Sequence, residues 1–440
     1  MKSARPKVAH EILGKPLVRW VIDAANAAGS EQVTTVIGHG RELIAPMVVD
    51  TCVAVQEEQL GTGHAVKVAL EATAASPSSS LVVLSGDTPL LQAHTIEALA
   101  KAQQEQAAAL SILTFEPKSP SGYGRIVRNA EGSVQSIVEE KDADAEQKKL
   151  TECNSGTYCF DKAFLVESIE KLGCDNAQGE YYLTDVIALA VEAGMPVVAL
   201  KVAAEEVLGI NNRVQLAQAG KIAQRRINAA HMMAGVTMTD PGLVWISPDV
   251  RIDEDVELLP LVFLNGSTVI GAGSVIGPNS RLTNTTVGKH CVIEETIIQD
   301  SILDDDVTCG PRAYLRPGTH MMHKSKAGTH VEIKKSTIGP GSKVPHLSYM
   351  GDTTLGKDVN IGAGSITCNY DGASKHKTFV GDNSFIGSDT MMVAPVNIGV
   401  NVVVGAGSVI TKDVPDNALG IERSEQKNIE GWSLRHKKSK

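Results

Sequence analysis

The sequence lacks the patterns that mark several large classes of protein. None of its seven cysteines forms a CxxC pair or a His/Cys ligand spacing, so neither a zinc site nor a disulfide framework is predicted, and a reducing cytoplasm fits best. We expect no signal peptide, and no segment reaches the roughly 18 uninterrupted apolar residues of a membrane span. The net charge is −10 and no basic stripe is present, which argues against nucleic-acid binding.

The second half of the chain has an aliphatic residue at every sixth position, usually followed by glycine. A period of six matches neither a helix nor an ordinary strand, and it describes short flat faces that turn corners at fixed intervals. Three such faces close one coil of a parallel β-helix, and hexad prisms of this kind coil left-handed, an exception to the usual crossover rule. The sequence therefore predicts a prism that begins near residue 250, with this inward stack: Leu355, Ile361, Val380, Ile386, Met392, Ile398, Val404 and Ile410. The repeat alone indicates architecture, because hexad domains include acyltransferases, regulatory modules and subunit-holding domains.

The first half of the chain alternates helix-like and strand-like segments, which is typical of a doubly wound α/β domain. Residues 16–28 read as an amphipathic helix and residues 32–37 as a strand. The apolar run 81–84 predicts a buried strand that ends in Ser85-Gly86-Asp87, where ligands of such sheets bind. Asp87 is therefore a candidate metal ligand, and equally a turn aspartate before proline.

A glycine-containing turn over residues 56–65 follows a predicted strand and opens a helix. Its glycines allow a ligand to approach backbone N–H groups, and a glutamine amide can pair with the imide edge of a pyrimidine. Four further polar segments follow in order, at residues 122–125, 138–141, 154–156 and 209–213.

Together these segments resemble the family of bifunctional N-acetylglucosamine-1-phosphate uridylyltransferase / glucosamine-1-phosphate acetyltransferase enzymes, over essentially the whole chain. The resemblance implies a Rossmann-like α/β nucleotidyltransferase domain (1–208), a linker helix (209–233), a left-handed β-helix of hexapeptide repeats (234–425) and a basic tail (426–440). Residues 213–233, rich in Ala, Gln, Lys and Arg without proline, suit that long helix. It also implies a cytoplasmic homotrimer that makes the activated amino sugar for cell-wall precursors.

The resemblance assigns the residues of the first domain to a nucleotide site. Gln56, Gly61 and Thr62 would contact uracil, and Asp87 and Asn211 would hold Mg²⁺. Gly124, Glu139 and Asn154 would face the sugar and ribose. Lys7 would meet the phosphates, and Ser85 and Gly86 would also bind substrate. Nucleotidyl transfer needs mainly positioning and neutralisation of phosphate charge, which a metal and cationic side chains supply.

One departure from the family lies at the start of the chain. The family opens with an apolar strand and a Leu-x-x-Gly-x-Gly-Thr-x-Met phosphate-binding loop, whereas this sequence starts at a position matching the last methionine of that loop. Either the natural protein is longer and Met1 is internal, which we favour, or the polypeptide is shortened. Uridylyl transfer from UTP is expected on the condition that the missing segment is supplied or dispensable.

Polar residues interrupt the hexad repeat of the second domain, and any one of them could be a solvated residue on a prism face. As a cluster they suggest a site: Arg316 and Lys334 are cationic donors for a sugar phosphate, Tyr349 and Asn360 are neutral hydrogen-bonding groups, and a histidine such as His346 can act near neutral pH. The segment also departs from the usual family form, since Pro345 stands where a small residue normally precedes the histidine.

The resemblance implies acetyl transfer from acetyl-CoA to glucosamine 1-phosphate in this domain. His346 would take the proton that the amine loses, and Glu332 would orient the imidazole. Arg316, Lys334, Tyr349, Asn360 and Lys375 would bind the sugar phosphate, and Ala363, Asn369, Tyr370, Ser388, Ala406 and Arg423 would line the coenzyme A site. Ala363 and Ala406 suit a groove for a pantetheine arm and equally suit hexad corners.

Three other functions remain open at this point. The chain could be an acetyltransferase with an inactive first domain, a sugar nucleotidyltransferase with a regulatory β-helix, or a non-catalytic trimeric scaffold. A histidine beside a sugar-phosphate pocket argues against a purely regulatory prism, and a scaffold should bind neither UTP nor acetyl-CoA specifically.

Overall fold

The computed structural model describes residues 1–435, so the last five residues of the predicted basic tail lie outside the described residues. The chain divides into two compact units, Met1–Ala223 and Gln224–Lys440. The division falls within a long helix, Arg213–Met233, whose bounds are those of the stretch that composition predicted to be helical. A short helix, Trp432–Arg435, ends the described part of the chain.

The first unit is an α/β domain with a mixed sheet. Its strands are β1 Glu11–Ile12, β2 Lys15–Pro16, β3 Thr34–Ile37, β4 Cys52–Val55, β5 Ser80–Val83, β6 Leu110–Phe115, β7 Arg125–Arg128, β8 Val134–Val138, β9 Cys153–Asp161 and β10 Val197–Lys201. Its helices are α1 Leu17–Ala27, α2 Arg41–Ile44, α3 Thr62–Ala72, α4 Ala93–Glu105, α5 Lys162–Ile169, α6 Asp185–Glu192 and the start of α7 Arg213–Met233. Three short 3₁₀ turns complete it: Lys7–Ala9, Ala45–Met47 and Gln147–Lys149.

The main sheet of this unit has the order β10-β6-β9-β7-β8, and β5 also pairs with β9. Strands β6 and β10 are parallel, whereas β9 runs antiparallel to both β5 and β6. The sheet is therefore mixed, and β5, predicted as a strand buried in a parallel sheet, is only half-buried. Strands β3 and β4 form a separate two-stranded parallel sheet.

The core of the first unit lies on both faces of the main sheet. Leu110 and Ile112 face one apolar cluster, which includes residues of α3, α5 and α6. Leu113 and Phe115 face the other, which includes residues of α4. Alternation of side chains along β6 places the two pairs on opposite faces. The sheet is thus covered by helices on both sides, and its loops carry the polar residues.

The second unit is a left-handed parallel β-helix of hexapeptide repeats with three faces. Face one consists of the strands Thr237–Met238, Glu257–Leu258, Val275–Ile276, Val292–Ile293, Thr308–Cys309, Lys326–Thr329, Lys343–His346, Asn360–Ile361, Phe385–Ile386, Val403–Val404 and Leu419–Gly420. Face two consists of Trp245–Ile246, Phe263–Asn265, Arg281–Thr283, Ile297–Gln299, Tyr314–Leu315, Glu332–Lys334, Tyr349–Gly351, Ile366–Cys368, Met391–Val393 and Val409–Ile410. Face three consists of Arg251–Ile252, Val269–Ile270, Thr286–Val287, Ile302–Leu303, His320–Met321, Thr337–Ile338, Thr353–Leu355, Thr378–Val380 and Val396–Ile398.

The predicted inward stack is confirmed, because all eight aliphatic residues named above are buried in one continuous core. Full burial of one such side chain contributes about 1.5–3 kcal/mol. The prediction that the prism begins near residue 250 is wrong, since its first strand is Thr237–Met238. The first coil turns through a 3₁₀ segment, Pro241–Leu243, where the coils after Leu355 have Gly362, Gly387 and Gly405, and this difference hides the hexad in the sequence.

Side chains of α7 satisfy backbone groups at the start of the prism. Gln224 and Asn228 both donate to the carbonyl oxygen of Val244, at 2.6 and 2.9 Å, and both amides are buried. These bonds cover carbonyl groups that would otherwise lack a partner at the open end of the β-helix. Within residues 1–435, no helix has the length and apolar character needed to cross a membrane. All seven cysteines are free thiols.

Candidate functional site

The first unit brings Lys7, Asp87 and Asn211 to one point from three distant segments. The Nζ atom of Lys7 lies 2.5 Å from Oδ2 of Asp87 and 2.9 Å from Oδ1 of Asn211. Asp87 stands in the turn after β5, and the N–H of Ile210 donates to its carbonyl oxygen at 3.1 Å. This bond holds the two oxygen-bearing segments together, as expected for a pair of ligands to one cation.

The oxygen pair of Asp87 and Asn211 fits a hard divalent cation. A carboxylate and an amide carbonyl are ligands that Mg²⁺ accepts, and Mg²⁺ typically completes its shell with water and substrate phosphate. The ammonium of Lys7 already occupies the space between both oxygens, which shows that a cation is accommodated there. Within residues 1–435, no group of three or more His, Cys, Asp or Glu side chains could hold a metal. A metal here would therefore depend on these two protein ligands.

The predicted uracil residues lie on the turn between β4 and α3. Gln56 is buried, and its Nε2 atom lies 3.3 Å from the carbonyl oxygen of Gly61. The hydroxyl of Thr62 accepts from the N–H of Leu183 at 3.1 Å. Gly61 has φ +107°, and a Cβ there would lie 2.7 Å from the carbonyl oxygen of Tyr181. Glycine is thus required, and the turn is held against residues 181–183.

The predicted sugar-facing residues Gly124, Glu139 and Asn154 are also brought together. The N–H of Asn154 donates to the carbonyl oxygen of Gly124 at 2.9 Å, and both Glu139 carboxylate oxygens would lie 3.5 Å from a Cβ on Gly124. Burial raises the pKa of Glu139, and the hydroxyl of Thr184 donates to it at 3.5 Å. The amide of Asn154 donates to the Tyr158 hydroxyl at 2.7 Å.

Two further residues join this region. The hydroxyl of Ser85 donates to the carbonyl oxygen of Gly156 at 3.4 Å, so the turn after β5 is linked to β9. Gly86 lies beside Val8, since a Cβ on it would be 3.4 Å from the valine side chain. Sequence reasoning missed Thr184 and Tyr158, because neither belongs to a motif and only the folded chain brings them to Glu139 and Asn154.

We expect Glu139→Gln to stabilise the protein at neutral pH. Burial disfavours the charged carboxylate, so the pKa of Glu139 is higher in the folded than in the unfolded state. At pH values between these two pKa values, the folded state binds more protons at Glu139 than the unfolded state does. The free energy of unfolding therefore falls as pH rises through that interval. The variant should melt up to a few degrees higher than wild type at pH 7, with no difference at pH values below the unfolded pKa.

Thermal unfolding as a function of pH checks this expectation. Glu131→Gln is the matched control, because Glu131 is an exposed glutamate on a loop of the same unit. A Glu139→Gln variant that melts below wild type at pH 7 would show that hydrogen bonds to the carboxylate outweigh its burial.

The second unit places the predicted sugar-phosphate residues on successive coils of face two. Glu332 and Tyr349 are register partners, and Lys334 pairs with Gly351. Arg316 follows the strand of the preceding coil, and its Nη1 atom donates to Oε1 of Glu332 at 2.8 Å. That hydrogen bond raises the pKa of Arg316. Arg316, Glu332, Lys334 and Tyr349 thus form one polar area on this face.

Lys375 reaches this polar area from the loop after Asn369. The close approach of its ammonium lowers the pKa of Lys334, and the charge of Asp352 opposes that shift. Asp352 also accepts from Nδ2 of Asn369 at 2.6 Å. Like charges repel, so a bound anion would stabilise Lys334 and Lys375 together.

The loop that carries Lys375 is closed by a carboxylate–imidazole pair. Oδ2 of Asp371 lies 2.6 Å from Nε2 of His376, and two backbone N–H groups also donate to Asp371. These bonds hold the pKa of Asp371 far below its usual range, with the N–H of Ser374 the largest cause. Sequence reasoning missed Asp352 and His376. Residues 373–378 break the hexad spacing, and this is the signal in the sequence that marks the loop.

The predicted coenzyme A residues fall in two groups. Ala363, Ser388, Ala406 and Arg423 follow His346 at the corner after face one, on consecutive coils. Backbone hydrogen bonds join these coils: Gly364 N to His346 O (3.4 Å), Asp389 N to Ala363 O (2.7 Å), Gly407 N to Ser388 O (2.8 Å). Arg423 closes the column by donating to the carbonyl oxygen of Ala406 at 2.8 Å. Asn369 and Tyr370 lie outside this column, in the loop beside face two.

His346 is exposed, and the described structure shows no hydrogen bond between it and the carboxylate predicted to orient it. Among the hydrogen bonds of residues 1–435, none involves the His346 imidazole, and Glu332 is engaged by Arg316. Asn360 lies on face one, paired with Lys343 and not with the face-two residues. Pro345 is accommodated in the same strand as His346. A single chain therefore brings the cationic residues together and leaves the imidazole free of side-chain partners.

We expect Gly351→Ala to impair acetyl transfer selectively. A Cβ at position 351 would lie 2.4 Å from the Tyr349 hydroxyl and 2.7 Å from Nδ2 of Asn369. Asn369 is buried and bonded to Asp352, so it cannot yield freely. Overpacking costs about 1–3 kcal/mol, which corresponds to a loss of roughly five- to hundredfold in kcat/KM if the displaced groups contact substrate.

The control for this variant is Gly173→Ala, because a Cβ there would meet no heavy atom within 4 Å. Steady-state kinetics with glucosamine 1-phosphate varied, on both variants and wild type, makes the comparison. Unchanged kinetics in Gly351→Ala would place Tyr349 and Asn369 outside the substrate site.

Comparison with known families and proteins agrees with the two-unit architecture. A family model described as nucleotidyl transferase matches residues 5–206, and one described as hexapeptide repeat of succinyl-transferase matches residues 377–412.

Curated relatives are similar to the chain along its whole length. "Bifunctional protein GlmU" of Heliobacterium modesticaldum is 49% identical over 442 residues, covering 100% of this chain and 96% of the relative. The protein of the same name from Carboxydothermus hydrogenoformans is 48% identical, covering 98% and 97%. That from Streptomyces coelicolor is 47% identical, covering 99% and 92%.

Proposed function

The chain belongs to the family of bifunctional GlmU proteins, and we propose that each of its units carries one of the two reactions. The protein is a glucosamine-1-phosphate acetyltransferase and a uridylyltransferase that forms UDP-N-acetylglucosamine. We assign acetyl transfer to the β-helix and uridylyl transfer to the α/β unit. The observation that carries the assignment is that each unit has cationic side chains of its own, Arg316, Lys334 and Lys375 in the β-helix and Lys7 in the α/β unit.

In the β-helix, the amine of glucosamine 1-phosphate attacks the thioester carbonyl of acetyl-CoA. The C–N bond forms, the C–S bond breaks, and coenzyme A leaves as the thiolate that takes up a proton. The exposed imidazole of His346, free of side-chain partners, is the group that accepts the proton lost by the amine. Glu332 supports this step by holding Arg316 at the edge of the sugar-phosphate site, and the orienting role for its carboxylate remains part of the proposal.

The sugar phosphate is bound by the face-two cations and their neighbours. Arg316, Lys334 and Lys375 neutralise the phosphate, and the phosphate in turn relieves the repulsion between the two lysines. Tyr349 and Asn360 supply neutral hydrogen bonds to the sugar. The coenzyme A arm lies along the corner column of Ala363, Ser388, Ala406 and Arg423, where small side chains leave a groove, with Asn369 and Tyr370 beside it.

In the α/β unit, a phosphate oxygen of N-acetylglucosamine 1-phosphate attacks the α-phosphorus of UTP. The bond between the α-phosphorus and its bridging oxygen breaks, and pyrophosphate leaves. Asp87 and Asn211 would hold Mg²⁺, which would neutralise phosphate charge when bound. Gln56, Gly61 and Thr62 bind uracil, while Gly124, Glu139 and Asn154, with Ser85 and Gly86, bind the sugars; Lys7 meets the phosphates.

We propose further that the protein is a cytoplasmic homotrimer. An apolar column on face one supports association: Phe385, Val403 and Leu419 are register partners and are 48%, 48% and 63% exposed. The free thiols, with Cys52 and Cys174 exposed, suit a reducing compartment. We propose these domain limits for the chain: a nucleotidyltransferase domain at 1–208, a linker helix at 209–233, a β-helix domain at 234–425 and a basic tail at 426–440.

Two assays on the 440-residue chain test the assignment. Thiol release is measured with acetyl-CoA and glucosamine 1-phosphate, and pyrophosphate release with UTP and N-acetylglucosamine 1-phosphate. Both activities are expected, with the Lys334→Ala variant impaired only in the first. Loss of pyrophosphate release in that variant would overturn the division of labour between the units.

A further inference from the structure

The ammonium of Lys7 stands where the metal of the proposed uridylyltransferase would stand. It lies 2.5 Å from Asp87 Oδ2 and 2.9 Å from Asn211 Oδ1, so one ammonium group contacts an oxygen of each proposed metal ligand. The Asp87 side chain is only 19% exposed, so solvent screens repulsion between cations there only weakly. A metal ion and this ammonium cannot occupy that space together.

The position of Lys7 is built into the fold. Its 3₁₀ turn, Lys7–Ala9, is followed by His10, which is buried and whose Nδ1 lies 3.3 Å from Nη1 of Arg213. Arg213 begins α7, two residues after Asn211, so the lysine segment is tied to the segment that carries the amide ligand. Asn211 is itself fixed, because its N–H donates to the side chain of Gln215 at 2.7 Å.

We propose that Lys7 is an internal competitor for the divalent cation. In the metal-free protein its ammonium occupies the oxygen pair, and metal entry requires it to leave. The lysine stem is long and flexible, so the displaced ammonium stays within reach of nearby phosphates. Metal binding to the free enzyme is thereby weakened, and binding together with a nucleotide is favoured because the nucleotide supplies an anion for the displaced lysine.

This inference rests on the proposed metal role of Asp87 and Asn211. It makes Lys7 a positioning residue with two alternative partners: the oxygen pair without metal and the nucleotide phosphates with it. When a binding-competent state is only fractionally populated, the apparent affinity falls by that fraction. If Lys7 leaves the Asp87–Asn211 oxygen pair free for about a tenth of the time, the pair binds metal roughly tenfold more weakly.

Direct titration of Mn²⁺, followed by the loss of its free electron paramagnetic resonance signal, tests the proposal without any substrate. Lys7→Met should bind Mn²⁺ about tenfold more tightly than wild type. Lys7→Arg, which keeps a cation, should remain close to wild type. Lys2→Met is the control for loss of one positive charge, because Lys2 is an exposed lysine of the same segment. Acetyl transfer by the other unit reports that each variant is folded.

Asp87→Asn in the Lys7→Met background separates the two ideas. If Lys7→Met gains affinity and the double variant loses it, both the metal site and the competition stand. Equal Mn²⁺ affinity in Lys7→Met and wild type, abolished by Asp87→Asn, overturns the competition and keeps the metal site. Binding that survives Asp87→Asn overturns the metal site itself.

Discussion

Replacement of His346 by alanine is expected to lower acetyl transfer by roughly 10²–10⁴-fold, the range usual for loss of a general base. The imidazole is exposed at a corner of the prism and contributes nothing to the inward stack, so the variant should keep the stability of wild type. Pyrophosphate release by the α/β unit should be unchanged. Thiol release at saturating acetyl-CoA measures the effect.

The matched control for that variant is His330→Asn. His330 is an exposed histidine at the same corner one coil earlier, and asparagine tolerates its φ of +56°. A nearly wild-type rate in His346→Ala, or an equal loss in the control, would contradict the assignment of His346 as the base.

Asp87→Ala is expected to lower uridylyl transfer by about 10²–10³-fold, because it removes the only carboxylate of the proposed metal site and leaves the metal with one protein ligand. It also releases Lys7 from its ion pair, so binding of UTP without metal should be retained or strengthened. Pyrophosphate release at increasing Mg²⁺ concentration measures the effect, and high Mg²⁺ should rescue part of the loss. Acetyl transfer should be unaffected.

Asp175→Asn provides the control for Asp87→Ala, since Asp175 is an exposed aspartate of the same unit. Wild-type rates and Mg²⁺ dependence in Asp87→Ala would mean that Asp87 is a turn aspartate before proline, which was the alternative interpretation of this motif from sequence.

The contacts of Glu332 show what a spacing pattern leaves undetermined at the candidate site. The resemblance assigned its carboxylate to His346, but in the single chain it accepts from Arg316 at 2.8 Å. Arg316 was predicted to bind the sugar phosphate and Glu332 to orient His346, from polar residues that interrupt the hexad on adjacent coils. A carboxylate pairs with the closer of two cationic or titratable neighbours, and the difference is a few ångströms. The spacing of residues in the sequence does not contain those distances.

The start of the prism shows a related difference for the fold. Glycine corners made the coils after Leu355 easy to recognise, whereas the coil that begins at Thr237 turns through Pro241–Leu243 and is capped by amides of α7. Its inward residues, such as Ile246, are as well buried as those of later coils. A prediction based on a repeated local signal therefore misses the first coil, where that signal is absent.

The sequence by itself determined the β-helix, the α7 linker and the order of the polar segments, because these depend on periodicity and propensity among residues close in the chain. Only the tertiary structure decided that Lys7 meets Asp87 and Asn211, and that the charge of Lys375 lowers the pKa of Lys334. Lys7 and Asn211 are 204 positions apart. Contacts between such distant segments arise when packing closes long loops, so the charge that each side chain faces is a property of the folded chain and not of its neighbours in sequence.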